Sequence, residues 1–347
     1  MSNATRWYAT REAVKAAVGI VGAASDALID AKIEAASEDI EREFNRRFIP
    51  LTATKQYPWP QAGRDSYILY LDEDLIAVTA LTKDDDTATA IAAADYFLEP
   101  VNSGPPYNRI EIDRSTSEYF SAKLTHQRAV RVTGRWGYAE DTKAAGALAE
   151  ADDGSETALD VTDSSLIGIG DTILIGTEQM FVSGKALLTT TTTLNDTLTA
   201  NKNDVTVTVA DGTKVKQGEV ITIDSERMRV ESISGNDLTV ERAVDGSVLA
   251  AHSTGVTVYA PRTLTVVRAV NGTTAATHAT AAAITRYAPP ADIVELVIAK
   301  AIAHMKQDAS GWTGQISGGE GAVQVRMIDL WSLTKRCEEK YRRFIFA

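Results

Sequence analysis

The longest helical pattern in the chain runs from Ser25 to Phe48, SDALIDAKIEAASEDIEREFNRRF, where Ile29, Ile33, Ala36, Ile40, Phe44 and Phe48 recur at helical spacing. That spacing places them on one stripe of an α-helix. Ser25 or Asp26 is positioned to cap its first turn, and Pro50 disfavours helical geometry at Ile49. The face away from the stripe carries Glu38, Glu41, Arg42 and Arg46, mixed in sign, and reads either as solvated or as a contact between subunits. Before it, Thr10 to Val18 reads as a short helix with Thr10 as N-cap and Gly19 and Gly22 as terminators.

The period then switches to two. Thr52 to Tyr57, Tyr67 to Leu71, Ile76 to Leu81, Tyr96 to Leu98, Arg109 to Ile112 and Ala129 to Thr133 are short strand patterns. Asp84, Asp85 and Asp86 read as a solvated hairpin tip, since they lack the alternating ligand positions of a calcium loop. Asn102 to Tyr107 reads as a loop. Near the end, Pro289 and Pro290 precede a helix from about Ala291 to Asp308. Ile293, Leu296, Val297, Ile298, Ala301, Ile302 and Met305 make it apolar around much of its circumference, as expected of a central helix. Gly311 to Gly321 is a glycine-rich loop without a phosphate-cradle pattern. A last helix, Val325 to about Arg343, carries Leu330, Leu333, Cys337, Tyr341 and Phe344 on one stripe. The chain closes on Tyr341, Arg342, Arg343, Phe344, Ile345, Phe346 and Ala347. An aromatic and basic end reads as a segment that docks, on a partner or on its own core.

Between these parts the composition shifts to Ala, Gly, Asp and Glu over Lys143 to Glu156, read as a linker into an insert spanning about Thr157 to Tyr287. The insert is Thr- and Val-rich and repeats internally. Val161 to Gly184 parallels Val209 to Gly235, and Leu238 to Pro261 parallels Leu264 to Pro289. The order is first half, first half, second half, second half, whereas a tandem pair would alternate. We read one β-module nested inside another, joined by two strand-like crossings. His252 and His278 fall at matching places, which assigns them to a turn and not to a metal pair. Asp245-Gly246 and Asn271-Gly272 match too, as tight turns. The expected domains are 1–142 with 288–347, then 157–203 with 261–287, then 204–260. The fold class so read is α+β: a small α-helical bundle core of two N-terminal and two C-terminal helices with short β-strands, plus an inserted all-β domain of two nested similar modules. Excision of Thr157 to Tyr287 is expected to leave a folded helical protein.

Composition narrows the function. With 347 residues, 44% of them hydrophobic, the chain can build several packed cores. A net charge of −12 argues against a basic nucleic-acid surface. The single cysteine, Cys337, excludes an internal disulfide framework. No secretory segment or run of membrane-spanning length is visible, so a cytoplasmic site of synthesis is expected. A nucleophile elbow, zinc spacing, Walker loop, dinucleotide fingerprint and paired-carboxylate motif are all missing, and neither catalysis nor a cofactor is expected.

The segments YATREAVKAAVGI, EREFNRRFIP, TATKQYPWP, VRVTGRWGYAE and PPADIVELVIAKAIAHMKQD together resemble the head–tail connector, or adaptor, proteins of tailed bacteriophages. The likeness covers about Thr5 to Tyr138 and Pro289 to Phe346. The insert departs from the minimal family member and resembles β-modules of phage structural proteins. The resemblance implies a virion protein, assembled in the host cytoplasm, that forms a homo-oligomeric ring of about twelve copies with heterologous contacts. It would sit between the portal protein and a tail or stopper protein, and DNA would pass its acidic lumen without sequence-specific binding. Glu38, Glu41, Arg42 and Arg46 are then the candidate subunit contact, and Tyr341 to Phe346 the candidate portal dock. A second reading is a capsid- or fibre-associated decoration protein acting through the β-insert. A third is a glycan-cleaving enzyme, which needs a carboxylate pair in a cleft.

Overall fold

The computed structural model describes residues 6–59, 66–85, 87–309 and 327–343. The chain opens with helices α1 (Arg11–Val18) and α2 (Asp26–Phe44). Six strands follow: β1 (Leu51–Tyr57), β2 (Ile68–Lys83), β3 (Thr89–Ala90), β4 (Tyr96–Glu99), β5 (Tyr107–Ile112) and β6 (Val130–Trp136). They form one antiparallel sheet in the order β1-β6-β2-β5-β4, with β3 on the end of β2. A ten-stranded antiparallel sheet comes next. Its strands are β7 (Thr142–Ala147), β8 (Ala158–Asp160), β9 (Thr172–Ile175), β10 (Glu178–Thr193), β11 (Thr206–Thr208), β12 (Val220–Ile223), β13 (Glu226–Ser234), β14 (Asp237–Glu241), β15 (Thr257–Val267) and β16 (Ala283–Tyr287). Helices α3 (Ala291–Ala309) and α4 (Met327–Tyr341) follow.

The fold class read from sequence is therefore overturned. The protein is mainly β, built on two large antiparallel sheets, and the helices form a layer and not a bundle core. The physical reason is that strand pairing runs across positions that break a period-two pattern. Tyr67 to Leu71 and Ile76 to Leu81 belong to the single strand β2. It pairs with β5 over Ile68 to Tyr70 and again at Leu75, with a register shift between, and with β6 from Leu75 onward. Such a bulge absorbs the acidic Asp72-Glu73-Asp74 run, which alternation alone treats as a break. The segment read as a linker is also structural: Thr142 to Ala147 is β7, paired with β16.

α1 begins where expected. The Thr10 hydroxyl accepts from the Ala13 amide, and Gly19 closes the helix at φ +69°. α2 stops earlier than its stripe predicts. Asn45 takes a left-handed conformation at φ 50°, and Phe48 reaches the core from outside the helix. Buried Phe44 and Phe48 meet edge to face at 6.5 Å. α3 touches α1, α2 and α4 and buries Ile293, Leu296, Val297 and Ala301 among them.

The helical cluster is not closed on itself. Phe181 and Tyr287 from the ten-stranded sheet, and Val270 from the turn that follows β15, are buried in it. Trp7 packs edge-on to Phe181 at 5.3 Å, and the Arg11 amide donates to the Ile169 carbonyl at 2.9 Å. Gly272, at φ +73°, lies so close to the Thr52 carbonyl that a Cβ would collide with it. Residues 157–287 are thus packed against the helical layer and the first sheet and not only joined to them through the chain.

The ten-stranded sheet has two apolar cores. One gathers Leu159, Ile173, Met180, Leu264 and Ile284, and the other Val207, Ile221, Met228, Val240 and Val258. Two long strands, β10 and β15, pair with each other and run from the first core to the second.

Candidate interaction surfaces of the helical layer

The four charges singled out on α2 do not share one surface. Glu38 and Arg42 are exposed, and Arg42 reaches Asp39 at 3.0 Å. Glu41 is held inside the chain. Arg6 grips it with two bonds of 3.0 Å, and the Tyr8 hydroxyl donates to it. Burial, and then the charge of Glu41, push that hydroxyl well above its usual range. Arg46 lies beyond the helix end. It stacks on the Tyr138 ring, 4.8 Å from its centroid, and approaches Asp74 at 3.4 Å.

The C-terminal residues separate in the same way. Tyr341 is buried among Phe48 and Tyr138, at ring distances of 5.6 and 5.3 Å, and its hydroxyl donates to Asp292 at 2.6 Å. Arg342 is exposed and faces Glu338. Arg343 turns inward: its amide donates to the Phe44 carbonyl at 2.9 Å and its guanidinium to the Leu71 carbonyl at 2.8 Å. Phe344, Ile345 and Phe346 lie outside the described residues. Tyr341 and Arg343 thus fasten the chain to its own core, so deleting Tyr341 to Ala347 removes packing as well as any dock.

Arg343 also stands 3.2 Å from Asp74, a carboxylate only 7% exposed. Burial raises the Asp74 carboxyl above its ordinary value, and Arg46 and Arg343 offset part of that rise. Two guanidiniums around one carboxylate tie the α2 end, the bend of β2 and the α4 end together.

The acidic hairpin tip behaves differently from a solvated turn. Asp84 is buried and its carboxylate accepts from Ser121. Asp85 accepts from the amides of Lys123, Leu124 and Thr125 at 2.9, 3.0 and 2.8 Å. Desolvation opposes its ionisation, yet the three donors hold it down at about 2. Asp86 lies outside the described residues.

Each core of the ten-stranded sheet carries a buried charged centre that sequence inspection did not single out. Glu226 takes two guanidinium bonds from Arg242 at 2.7 and 2.8 Å, amide bonds from Ala243 and Ala250, and a contact from His252 at 2.9 Å. Glu178 has the same set: Arg268 at 3.1 and 2.7 Å, the amides of Ala269 and Ala276, and His278 at 3.0 Å. The signal was present, because Glu178 and Glu226, Arg268 and Arg242, and His278 and His252 are matched positions of the repeat. The turns Asp245-Gly246 and Asn271-Gly272 have positive φ at both residues, but each lies in a long loop that wraps its glutamate and not in a strand-to-strand hairpin. The bonds that hold these carboxylates are internal, so their arrangement does the work of folding.

Among the described residues there is no group of three or more His, Cys, Asp or Glu side chains placed to hold a metal ion. No helix among them is long and apolar enough to cross a membrane. Cys337 is buried against the Asp292 carbonyl at 3.8 Å, and burial raises its thiol. The architecture is that of a mainly antiparallel β-protein with a helical layer whose outer faces carry its exposed charges. Comparisons with protein families, with characterised proteins and with solved structures return no match to this chain.

Proposed function

We propose that the protein is a structural component of a tailed-phage virion: a homo-oligomeric ring adaptor between the portal of the head and a tail or stopper protein, with DNA passing through its lumen. The observation that carries this reading is spatial. The two resembling stretches, separated in sequence by the whole ten-stranded sheet, pack on one another, with α2 against α3 and Phe48 against Tyr341. The two stretches thus form one helical layer, which the inserted sheet helps to close. The acidic balance of the chain suits a lumen past which a polyanion must slide. No catalytic or cofactor role is part of this proposal.

Portal docking in this reading belongs to the outer side of α4 and the residues after Arg343. Tyr341 and Arg343 fasten the end of α4 to the chain's own core. The test is immunogold electron microscopy of intact virions with antibody to this chain. Label at the junction of head and tail is expected. Label over capsid faces or fibre tips would overturn the proposal and favour decoration through the β-modules.

A further inference from the structure

The two apolar cores of the ten-stranded sheet share no residue. The outer one surrounds Ile173 and the inner one Ile221, and β10 and β15 run between them. At the passage Ala186 pairs with Thr263 and Leu188 with Ala260, so Leu187 alone on β10 faces both Pro261 and Arg262 on β15. Such a bulge bends the ladder, and Pro261 has no amide to donate to it. The flanking strands stop short on either side. β9 pairs with β10 over Glu178 to Phe181, and β8 with β15 over Thr263 to Thr265. β12 pairs with β15 at Thr222 to Tyr259 and Ile223 to Val258. The sheet is therefore two strands wide at the bend, and a two-stranded ribbon has little stability of its own.

One buried carboxylate bridges this bend. Glu219, on the inner side, accepts from the Ser164 amide at 3.1 Å and from its hydroxyl at 3.0 Å, and Ser164 belongs to the loop between β8 and β9 on the outer side. Arg262, on the bend itself, donates to the same carboxylate at 2.8 and 2.6 Å and to the Lys214 carbonyl at 2.8 Å. The Lys216 amide closes the local loop on Glu219 at 2.9 Å. The matched residue of the outer copy is Asp171, which closes its own loop through the Gly168 amide at 2.7 Å. One methylene longer, Glu219 performs that local task and also reaches across the bend.

We propose that the inner β-module is an arm hinged at Leu187 and Pro261, and that Glu219 is the latch that fixes its angle. With the latch closed, the Asp245-Gly246 turn lies against Val21 and Gly22 in the loop between α1 and α2. With it open, the arm swings away from that loop as a unit. The inner module stays folded, because its apolar residues and the Arg242–Glu226 centre all lie beyond the bend. This inference goes beyond the ring reading and does not depend on it.

Double electron–electron resonance on the full chain tests the latch. Spin labels at Thr239→Cys on β14 and Ala283→Cys on β16 span the bend from exposed positions, and the native thiol, Cys337, is buried. With Glu219 in place, one narrow distance is expected. Glu219→Asp keeps the charge and the local loop, as Asp171 does, and is expected to turn that narrow peak into a broad distribution. A second pair, Ser232→Cys with Thr254→Cys, lies wholly inside the inner module at exposed positions. It is expected to report the same narrow distance with and without Glu219→Asp. A broad distance across the bend with Glu219 present, or an unchanged narrow one in Glu219→Asp, would overturn the latch. Broadening of the inner pair by Glu219→Asp would also overturn it, since Glu219 would then hold the module together and not its angle.

Discussion

The guanidinium of Arg343 lies 3.2 Å from the carboxylate of Asp74, and Arg46 approaches the same carboxylate from the end of α2. One buried acid is thus shared by the C-terminal segment, the bend of β2 and the residue that leaves α2. The helical layer is locked to the six-stranded sheet at this point.

Arg343→Met removes one guanidinium from Asp74 and the bond to the Leu71 carbonyl, while keeping much of the apolar stem. A loss of about 2–3 kcal/mol of unfolding free energy is expected, because a buried charge loses one of its partners. Arg342→Met, on the exposed side, is expected to stay within about 0.5 kcal/mol of wild type. Urea denaturation of the two variants checks this; equal effects would disprove the lock.

Truncation behaves as a graded experiment. Removing 344–347 spares the described packing. Removing Tyr341 to Ala347 also takes away Tyr341, which is buried against Phe48 and Tyr138, and is expected to cost about 3–5 kcal/mol, as for other large buried aromatics. Thermal melting of both truncations gives the comparison, and loss of portal binding is interpretable only in the shorter truncation.

Acid should unfasten the charged centres of the ten-stranded sheet. Burial would raise the Glu226 carboxyl, but Arg242, His252 and the Ala250 amide prevail and hold it down at about 2. Its unfolded value is about 4.3. A depressed carboxyl contributes stability that is fully present above the unfolded value and is lost as pH falls toward the folded one. The melting temperature should therefore fall steeply between about pH 4 and pH 2. Glu226→Gln should be less stable at pH 7 and show a shallower fall across that window. Identical slopes for variant and wild type would refute the assignment.

The inner core offers a cleaner excision than the whole insert. Thr193 and Thr257 are paired across β10 and β15, so a two-residue Asn-Gly turn can join them when 194–256 are removed. That protein is expected to retain the helical layer, the six-stranded sheet and the outer core, with one cooperative transition. Excision of Thr157 to Tyr287 strips Phe181, Val270 and Tyr287 from the helical cluster and β16 from β7, and is expected to give an aggregating or molten chain. Circular dichroism melts and size-exclusion profiles of the two deletions separate these outcomes.

Local grammar was legible in the chain. Thr10 bounds α1 through its hydroxyl and Gly19 through its freedom at positive φ, and the stripe Ile29, Ile33, Ala36, Ile40 and Phe44 is buried on α2. These features depend on neighbours within a turn, and a linear sequence displays such neighbours directly. The nested order of the repeat also placed Glu178 with Arg268 and His278, and Glu226 with Arg242 and His252, at matched positions, although reading the histidines alone hid the carboxylates between them.

Which distant faces meet is a matter of packing in three dimensions. Whether Asp72 to Asp74 break a strand or bulge within it depends on β5 and β6 lying alongside. Whether Glu41 and Arg46 face solvent depends on Tyr8, Arg6 and Asp74 arriving from other segments. The weight of β over α followed from pairing between strands far apart in the chain, β10 with β15 above all. Periodicity and caps are readable from the residues alone because they depend on near neighbours, and the matched repeat positions because they are written in residue identity. The partners of its charges were decided by tertiary packing, because burial and Coulomb attraction act through space and are blind to separation along the chain.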